Sequence, residues 1–210
     1  MKLAVFGSTG SVGRHIVAQA RAEGHVVTGF SRGQATEPEF SPDALVQGDV
    51  LDPEAVAKAV AGQDAVLVAL GAGRKGGVRA SGTANVIAAM KRHGVRRLVC
   101  QSTLGAGESV GNLNFFWKHV MFGMLLRPAY ADHQAQECLV RDSGLDWTIV
   151  RPAAFTDGPV GGEYIHGFAN DARNLSLDVS RADVARFMLE QLESTTYIHD
   201  APGLSYALAA

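Results

Sequence analysis

The chain has 210 residues, of which 47% are hydrophobic and 19% charged, and it carries 24 glycines and a formal net charge of −2. This balance excludes a disordered chain, and the glycines follow no three-residue repeat, which excludes a collagen-like helix. Because the net charge is small, there is no electrostatic basis for binding nucleic acid or an anionic membrane surface, and we expect neither as a partner.

Apolar runs of strand length alternate with segments of helical periodicity along nearly the whole chain. The predicted strands are, in chain order, residues 2–6, 26–30, 45–47, 65–70, 97–101 and 147–150. The predicted helices are residues 12–23, 53–61, 83–93, 131–143 and 184–192. Strands that alternate with helices in this way form a parallel sheet covered on both faces. We therefore predict an α/β fold: a Rossmann-like, doubly wound and mostly parallel sheet with helices on both faces.

The last quarter of the chain is more irregular. Residues 180–183 (SRAD) match a capping box that would begin the last helix, and residues 206–208 are a candidate edge strand. No internal repeat, linker or low-complexity stretch divides the sequence. We predict a single domain over residues 1–210, with loops and short strands on the substrate side mainly in residues 104–130 and 153–179.

The two cysteines, Cys100 and Cys138, stand in no spacing typical of a metal or redox site. We interpret both as small buried side chains in a reducing compartment. The lack of a signal-peptide pattern after Met1 leads us to expect a cytoplasmic protein. The histidines show no ligand spacing with cysteine, aspartate or glutamate, so no metal site is predicted.

A glycine-rich loop, G-x-x-G-x-x-G over residues 7–13, directly follows the first predicted strand and opens the first predicted helix. Such a loop lets the backbone approach a diphosphate closely, and the helix supplies unpaired N–H groups and a positive dipole end. The alternative is a structural turn that happens to contain three glycines. The predicted cofactor-binding residues of this loop are Gly7, Ser8, Thr9, Gly10, Ser11 and Val12.

The end of the second predicted strand indicates which nucleotide is preferred. An NAD site typically has a carboxylate here that binds the ribose 2′-OH. This chain has Arg32 instead, and a guanidinium can bind a 2′-phosphate in bidentate fashion. We therefore predict NADP(H) in preference to NAD(H), the alternative being that Arg32 is a solvent-exposed loop cation.

Further cofactor contacts are predicted after the third and fourth strands, because ligands bind at the carboxyl ends of strands in this architecture. Asp49 is expected to accept a hydrogen bond from the adenine amino group while Val50 covers the ring. Leu70, Gly71 and Ala72 form a small loop expected beside the ribose and diphosphate.

The residues expected near the nicotinamide follow the fifth and sixth predicted strands. Ser102 and Thr103 come after the fifth strand, and His133 lies in the helix after that. Ser102 is predicted to contact the cofactor. After the sixth strand, cofactor contacts are predicted for Pro152, Ala153, Ala154 and Phe155.

Five segments carry a resemblance to a known family: AVFGSTGSVGRHIV, FSRG, LVQGDVLDPEAVAKAVAGQDAVLVALG, GTANVIAAMKRHGVRRLV and SGLDWTIVRPAAF, which together span most of residues 1–155. In these segments the chain resembles the atypical short-chain dehydrogenase/reductase-like proteins of the NAD(P)-binding, NmrA-like type, most closely the flavin reductase/biliverdin reductase B branch. The resemblance implies a cofactor-bound reductase with a shallow, promiscuous site. It also implies a monomer, with a dimer as the alternative.

The resemblance implies roles near the hydride site. In the resembling reductases a serine at the place of Thr103 faces this site and a histidine matches His133, whereas a second histidine is replaced here by Glu137. The candidate catalytic residues are therefore Thr103, Ser102 and His133. We interpret His133 as a general acid or, alternatively, as a helix-surface or carboxamide-anchoring histidine.

Ordinary short-chain dehydrogenases transfer the carbonyl proton with a Tyr-x-x-x-Lys pair, which this sequence lacks. The four tyrosines are followed at the fourth position by other residues: Tyr130 by Gln134, Tyr164 by Phe168, Tyr197 by Ala201 and Tyr206 by Ala210. A nucleotide-sugar epimerase or dehydratase, which would need this pair, is therefore the least favoured of three hypotheses.

The leading hypothesis is an NADPH-dependent oxidoreductase that transfers hydride to a planar acceptor such as a flavin or quinone. A flavin would then be a substrate rather than a bound cofactor. The aromatic and methionine-bearing segment at residues 115–122 either walls the acceptor pocket or packs as core or lid. The second hypothesis is a sensor or regulatory protein that binds NADP(H) without turnover.

Overall fold

The computed structural model describes residues 1–35, 37–71, 73 and 76–208. Its strands are β1 (Lys2–Phe6), β2 (Val26–Ser31), β3 (Ala44–Gln47), β4 (Ala65–Val68), β5 (Arg97–Gln101), β6 (Asp146–Pro152), β7 (Ala154–Thr156), β8 (Tyr164–His166), β9 (Asp178–Ser180) and β10 (Gly203–Tyr206). Its α-helices are α1 (Gly13–Ala22), α2 (Pro53–Val60), α3 (Arg79–His93), α4 (Arg127–Arg141) and α5 (Arg181–Glu190). A π-helix, Phe116–Leu125, precedes α4.

The central sheet has eight strands in the order β3-β2-β1-β4-β5-β6-β10-β8. All neighbours pair in parallel except β8, which runs antiparallel to β10 at the edge. Strands β7 and β9 form a separate parallel pair. The predicted fold class, a Rossmann-like and mostly parallel sheet covered by helices, is confirmed.

Alternate residues of the central strands enter two cores, one on each face of the sheet. In β1, Leu3 and Val5 belong to the core that α1 and α5 cover, whereas Ala4 and Phe6 belong to the core beneath α2 and α3. A strand with two buried faces needs apolar residues at every position, which explains the continuous apolar runs of β1 and β4. The sheet edge that holds the carboxyl ends of the parallel strands is therefore supported from both sides.

Helix ends lie close to where capping patterns predict them. Asp52 caps α2 by accepting hydrogen bonds from the backbone N–H groups of Glu54 and Ala55. Ser180 caps α5 by accepting the N–H of Asp183, as the predicted capping box requires. The reciprocal bond of the box is missing, because the Ser180 N–H donates to the Tyr206 hydroxyl. The main differences are at α3 and α4, which begin at Arg79 and Arg127 rather than at residues 83 and 131.

Two predictions are wrong. The last strand is Gly203–Tyr206 rather than residues 206–208, and it lies inside the sheet between β6 and β8 rather than at its edge. Cys138 is exposed on α4, whereas Cys100 is buried in β5 as predicted. Burial raises the pKa of the Cys100 thiol, so this cysteine is an inert core residue.

In the aromatic segment between β5 and α4, some side chains line a pocket and others are exposed to solvent. Trp117 and Phe122 line a pocket beneath it and pack against the core, whereas Phe115 and Phe116 are exposed. Both of the predicted roles, pocket wall and core packing, are therefore found in the same two residues. Within the described ranges, no helix is long and apolar enough to cross a membrane.

Candidate active site

Two neighbouring cavities lie at the carboxyl ends of the parallel strands. The first, called the cleft here, has a volume of about 460 Å³ and lies over the glycine loop and the ends of β2, β3 and β4. The second, called the inner pocket, has a volume of about 320 Å³ and lies beyond the ends of β5 and β6. Val78 lines the cleft and the next residue, Arg79, lines the inner pocket, so the two cavities adjoin.

Most of the predicted site residues lie in these two cavities. Those lining the cleft are Gly7, Thr9, Gly10, Arg32, Asp49, Val50, Leu70 and Gly71. Those lining the inner pocket are Ser102, Thr103, His133, Ala153, Ala154 and Phe155. The chain thus brings residues that are remote in sequence to one edge of the sheet, as the doubly wound architecture requires.

The glycine loop has the geometry that a diphosphate site requires. Gly7 has φ +83°, and a Cβ there would collide with the carbonyl oxygen of Ala69. A Cβ on Gly13 would collide with the carbonyl oxygen of Gly7, because α1 packs directly on the loop. Only glycine allows this approach of helix, loop and strand.

Backbone N–H groups at the start of α1 remain available to a ligand. The N–H groups of Gly7 and Ser8 donate to the carbonyl of Phe30, at 3.0 and 3.3 Å. In contrast, those of Ser11 and Val12 donate to no group in the described part of the chain. Unpaired N–H groups at a helix N-terminus bind anionic groups. The loop therefore fits the diphosphate of a dinucleotide.

Five other predicted contacts do not line the cavities or cannot be placed. Ser11 is exposed in the glycine loop but does not line the cleft. The side chains of Ser8 and Val12 are buried beneath the loop, so neither side chain faces the cleft. Pro152 ends β6 with its ring buried and its carbonyl accepting the N–H of Leu104 at 2.8 Å. Ala72 lies outside the described residues.

Arg32 is exposed at the end of β2, on the rim of the cleft. Its side chain forms no ion pair with any residue that the structure describes. The neighbouring Ser31 hydroxyl is buried and donates to the carbonyl of Gly33, so it is not free to bind a ligand. Among the described residues that line the cleft, Arg32 thus carries the cation available to a ligand.

Asp49 and Val50 form the wall of the cleft beyond β3. One carboxylate oxygen of Asp49 accepts the N–H of Leu51 at 3.0 Å, which fixes the carboxylate against the loop. Val50 is buried against α3, where a Cβ on Gly82 would approach its methyl groups to 2.7 Å. An acceptor group and an apolar surface therefore stand side by side, as the predicted adenine contacts require.

Hydroxyl groups lie at the start of the inner pocket, directly after β5. The Thr103 hydroxyl is within 3.3 Å of the Leu104 carbonyl and remains partly exposed. The Ser102 hydroxyl is buried without a hydrogen-bond partner, while its backbone N–H donates to Val150 at 2.7 Å. These two hydroxyls can donate to a ligand in the pocket.

His133 lies inside the inner pocket and is only 8% exposed, so its interpretation as a helix-surface residue is wrong. Burial, and to a lesser extent the nearby Arg79 guanidinium, lowers its pKa to about 3. The imidazole is therefore neutral at physiological pH. Its Nδ1 is buried without a hydrogen-bond partner, which leaves the ring able to bind a polar group such as a carboxamide.

Glu137, one turn further along α4, is committed to a structural role. Its two carboxylate oxygens accept hydrogen bonds from Arg151 on β6, at 3.0 and 2.6 Å. Both side chains are buried, with 2% of Arg151 and 5% of Glu137 exposed. Glu137 does not line the inner pocket, so it does not replace a proton-donating histidine there.

The tyrosine hydroxyls bond outside the two cavities, although the Tyr130 ring stacks on Phe122 of the inner pocket. None of them lines either cavity, and each hydroxyl is bonded elsewhere: Tyr130 to Gly105, Tyr164 to Glu190, Tyr197 to His166 and Tyr206 to Asp183. The described residues contain no cluster of three metal-ligating side chains. The site therefore has neither a tyrosine acid nor a candidate metal centre in the described part of the chain.

Sequence reasoning missed two arginines, Arg79 and Arg181, that line the inner pocket. Arg79 begins α3, and the N–H groups of Arg79 and Ala80 donate to the two carboxylate oxygens of Asp132 on α4. Arg181 begins α5 and pairs with the exposed Asp157 at 2.8 Å. No motif marks either arginine, because only the packing of α3 against α4 buries Arg79.

Comparison with protein families identifies the family to which this chain belongs. A model of the NAD(P)H-binding family matches residues 7–195. The chain belongs to the NAD(P)H-binding family. The matched range includes the glycine loop, the cleft and the inner pocket, and it extends well beyond the segments that carry the resemblance in sequence.

Two curated relatives illustrate the range of this NAD(P)H-binding family. The UPF0659 protein YMR090W of Saccharomyces cerevisiae is 28% identical over 205 residues, which cover 91% of this chain and 87% of the yeast protein. The 2-alkyl-3-oxoalkanoate reductase of Stenotrophomonas maltophilia is 38% identical over 113 residues, which cover 49% of this chain and only 33% of the reductase. Relatives of this NAD(P)H-binding chain therefore include a named reductase, matched over about a third of that protein's length.

Solved structures confirm the fold. A short-chain dehydrogenase/reductase from Veillonella parvula, solved in complex with NADP, superposes with a TM-score of 0.80 at 18% identity, covering 97% of this chain and 94% of that one. ChuY, an anaerobillin reductase from Escherichia coli O157:H7, superposes with a TM-score of 0.80 at 22% identity, covering 98% and 97%.

Proposed function

We propose that this protein is an NADPH-dependent reductase that transfers hydride to a planar acceptor such as a flavin or a quinone. One observation carries the proposal: a cleft that fits a dinucleotide adjoins a small, partly apolar pocket whose described lining residues include no acid able to work at neutral pH. Planar, electron-poor acceptors are the class that needs least acid catalysis, since the cofactor carries the chemistry and the protein supplies orientation.

The cleft supplies a binding group for each part of the cofactor. The free N–H groups of Ser11 and Val12 would hold the diphosphate, and Arg32 would hold the 2′-phosphate. Asp49 and Val50 would hold the adenine. When bound, NADPH supplies the hydride. The NADP found in the Veillonella parvula structure supports the choice of nucleotide.

The inner pocket would orient the acceptor. Trp117, Phe122 and Phe155 give it aromatic walls, while the hydroxyls of Ser102 and Thr103 donate hydrogen bonds where β5 ends. His133, being neutral, would anchor the cofactor's carboxamide rather than act as a general acid. The proton that completes the reduction would then come from water or through the Thr103 hydroxyl.

Steady-state oxidation of NADPH, followed at 340 nm with FMN, riboflavin and a panel of quinones, tests the proposal. We expect turnover with at least one planar acceptor. Gly13→Ala should abolish it, because the added Cβ collides with the Gly7 carbonyl, whereas Gly158→Ala should not, because its Cβ would meet only Ser180 at an ordinary 3.7 Å. If no acceptor is reduced, the proposal that the protein is a reductase is wrong.

A second function, an NADP(H) sensor without turnover, is favoured by one observation. The ionisable side chains of the described residues that line the inner pocket are His133, which is neutral, and two arginines, and none of these is an effective proton donor. A sensor would bind NADP⁺ and NADPH with different affinities and consume no acceptor. Calorimetric titration with each nucleotide, beside the acceptor panel, separates the two functions.

The proposed reductase works as a monomer on a small-molecule acceptor, with a dimer as the alternative. Light scattering coupled to size-exclusion chromatography, with and without NADPH, measures the oligomeric state of the protein. A dimer that forms only with the cofactor would show that a second copy takes part.

A further inference from the structure

The inner pocket is lined by two positive charges and by no negative charge among the residues that the structure describes. Arg79 and Arg181 both line it. Arg181 pairs with Asp157, whose side chain is 84% exposed, so this arginine already has a carboxylate partner. Arg79 is buried deep in the fold, with 9% of the residue exposed, and its situation is different.

The guanidinium of Arg79 forms no hydrogen bond with any described residue. Its Nε and Nη1 atoms are buried without partners. Oδ2 of Asp132 lies 3.7 Å from Nη1, which is too long for a hydrogen bond. Both oxygens of Asp132 already accept the backbone N–H groups of Arg79 and Ala80. The single carboxylate of Asp132 therefore faces both the buried guanidinium of Arg79 and the N-terminus of α3. The positive charge of these two groups together exceeds the negative charge of the carboxylate.

Other polar groups of the same pocket also lack partners. Oε1 of Gln101, Oγ of Ser102 and Nδ1 of His133 are buried without hydrogen bonds, and all three residues line the pocket and are at least nine-tenths buried. Buried polar groups in native proteins are normally hydrogen-bonded, whereas the Arg79 guanidinium has only its long ion pair with Asp132, at 3.7 Å. Oε1 of Gln101 can only accept, and His133 is assigned to the cofactor's carboxamide. The Arg79 guanidinium and the Ser102 hydroxyl are the unpartnered donors of this cavity, and they point to a polar, anionic ligand.

We propose that Arg79 binds a carboxylate of the acceptor, so that the natural substrate is a planar, unsaturated acid rather than a neutral ring. The guanidinium would receive the carboxylate at the floor of the pocket, and the apolar part would lie against Trp117 and Phe122. The assignment of this acid as the acceptor rests on the proposed function. The diphosphate of the cofactor is the other anion in reach, but Arg79 does not line the cleft where the glycine loop lies.

Binding of an unreactive pair of probes, 2-naphthoate and the neutral 2-naphthamide, tests this site by calorimetry on protein saturated with NADP⁺. We expect the wild-type protein to bind 2-naphthoate about tenfold or more tightly than 2-naphthamide, as a charge-assisted bidentate contact implies. Arg79→Met should remove that preference. Arg96→Met, which removes an arginine that is 65% exposed and paired with Asp146, should keep it.

Equal binding of the two probes by the wild-type protein would overturn the proposal without any variant, so the test stands even if Arg79→Met does not fold. A loss of NADP⁺ affinity in Arg79→Met as large as the loss of 2-naphthoate affinity would assign Arg79 to the diphosphate instead, and would also overturn it. Because 2-naphthoate is not reduced, its binding is independent of turnover. If the protein prefers 2-naphthoate but turns over no acceptor, the proposed anion site is supported and the proposed reductase activity is rejected.

Discussion

At the scale of single residues, Arg32 is the residue that we propose distinguishes the two nicotinamide nucleotides. Its exposed guanidinium lies on the rim of the cleft with no ion-pair partner among the described residues. We expect Arg32→Ala to weaken NADPH binding by about 1.5–3 kcal/mol, the range for hydrogen bonds to charged groups, and to leave NADH binding nearly unchanged. Calorimetric dissociation constants for both nucleotides measure this difference.

The matched control for this prediction is Arg92→Ala. Arg92 is exposed near the end of α3 and pairs with Glu54, remote from the cleft, so its loss should change neither dissociation constant. Equal weakening of NADPH and NADH by Arg32→Ala would show that this arginine contacts a part common to both nucleotides. Such a result would mean that Arg32 does not recognise the 2′-phosphate.

His133 makes the stability of the fold sensitive to acid. Its pKa falls from 6.5 to about 3 on folding because the imidazole is buried. Above pH 6.5 the residue is neutral in both states. Below about pH 6 the unfolded chain binds a proton that the folded chain does not, so the free energy of unfolding falls by about 1.4 kcal/mol per pH unit. Urea unfolding from pH 7 to pH 4 should show this loss.

The variant His133→Gln removes this titration. Between pH 6.5 and pH 4 its free energy of unfolding should therefore fall by about 3 kcal/mol less than that of the wild-type protein. His93→Gln, an exposed position at the end of α3, should keep the wild-type pH profile. Parallel profiles for wild type and His133→Gln would mean that His133 is accessible to protons in the folded state. In that case its use as a general acid would have to be considered again.

At the scale of elements, one ion pair connects α4 to β6. Arg151 and Glu137 are both buried and joined by two hydrogen bonds, and Glu108 provides Arg151 with a second, exposed partner at 2.9 Å. Glu137→Ala should lower the free energy of unfolding by about 3 kcal/mol, the low end for breaking a buried pair, since Glu108 remains. Chemical denaturation measures the loss.

The exposed pair on α5 provides the contrast. Arg186→Ala breaks a surface contact to Glu190 at 3.0 Å, which is worth only about 0.3–0.5 kcal/mol. If Glu137→Ala cost no more than this surface variant, the pair would be solvated rather than buried. A structural role for Glu137 also means that NADP⁺ affinity should survive in any variant that still folds.

The sequence predicts elements well where local signals act and poorly where distant segments meet. Strands β1 and β5 have the predicted bounds, because each is an apolar run between turn residues. The last strand was predicted three residues too late and at an edge. Its place is set by pairing in parallel with β6 and antiparallel with β8, segments far apart in sequence, and no local pattern encodes that choice.

The same division applies to the site. The glycine loop and Arg32 are predictable because phosphate binding requires a fixed spacing after a strand. Arg79 is not, because an arginine at the start of a helix is normally solvated, and only contact with Asp132 on another helix buries it. Cys138 shows the converse error, since a cysteine is usually buried but this one lies on the outer face of α4.

At the scale of the whole molecule, the two cavities share one structural support. The cleft lies over β1 to β4 and the inner pocket over β5 and β6, and these six strands are neighbours in a single sheet. The core beneath α1 and α5 also contains residues of the late segments, such as Leu175 and Val179. The irregular last quarter is thus joined to the cofactor-binding part by a common core, which favours the prediction of a single domain.

If the chain unfolds as one unit, NADP⁺ must stabilise all of it. A ligand that binds only the folded state at 100 times its dissociation constant adds about 2.7 kcal/mol. For a chain of this size that corresponds to a rise of about 5–10 °C in the midpoint of unfolding. We expect differential scanning calorimetry to show one transition, shifted as a whole by NADP⁺ and much less by NAD⁺ at the same concentration. Two transitions, of which NADP⁺ moves only one, would divide the chain into a cofactor-binding unit and a separate acceptor-side unit.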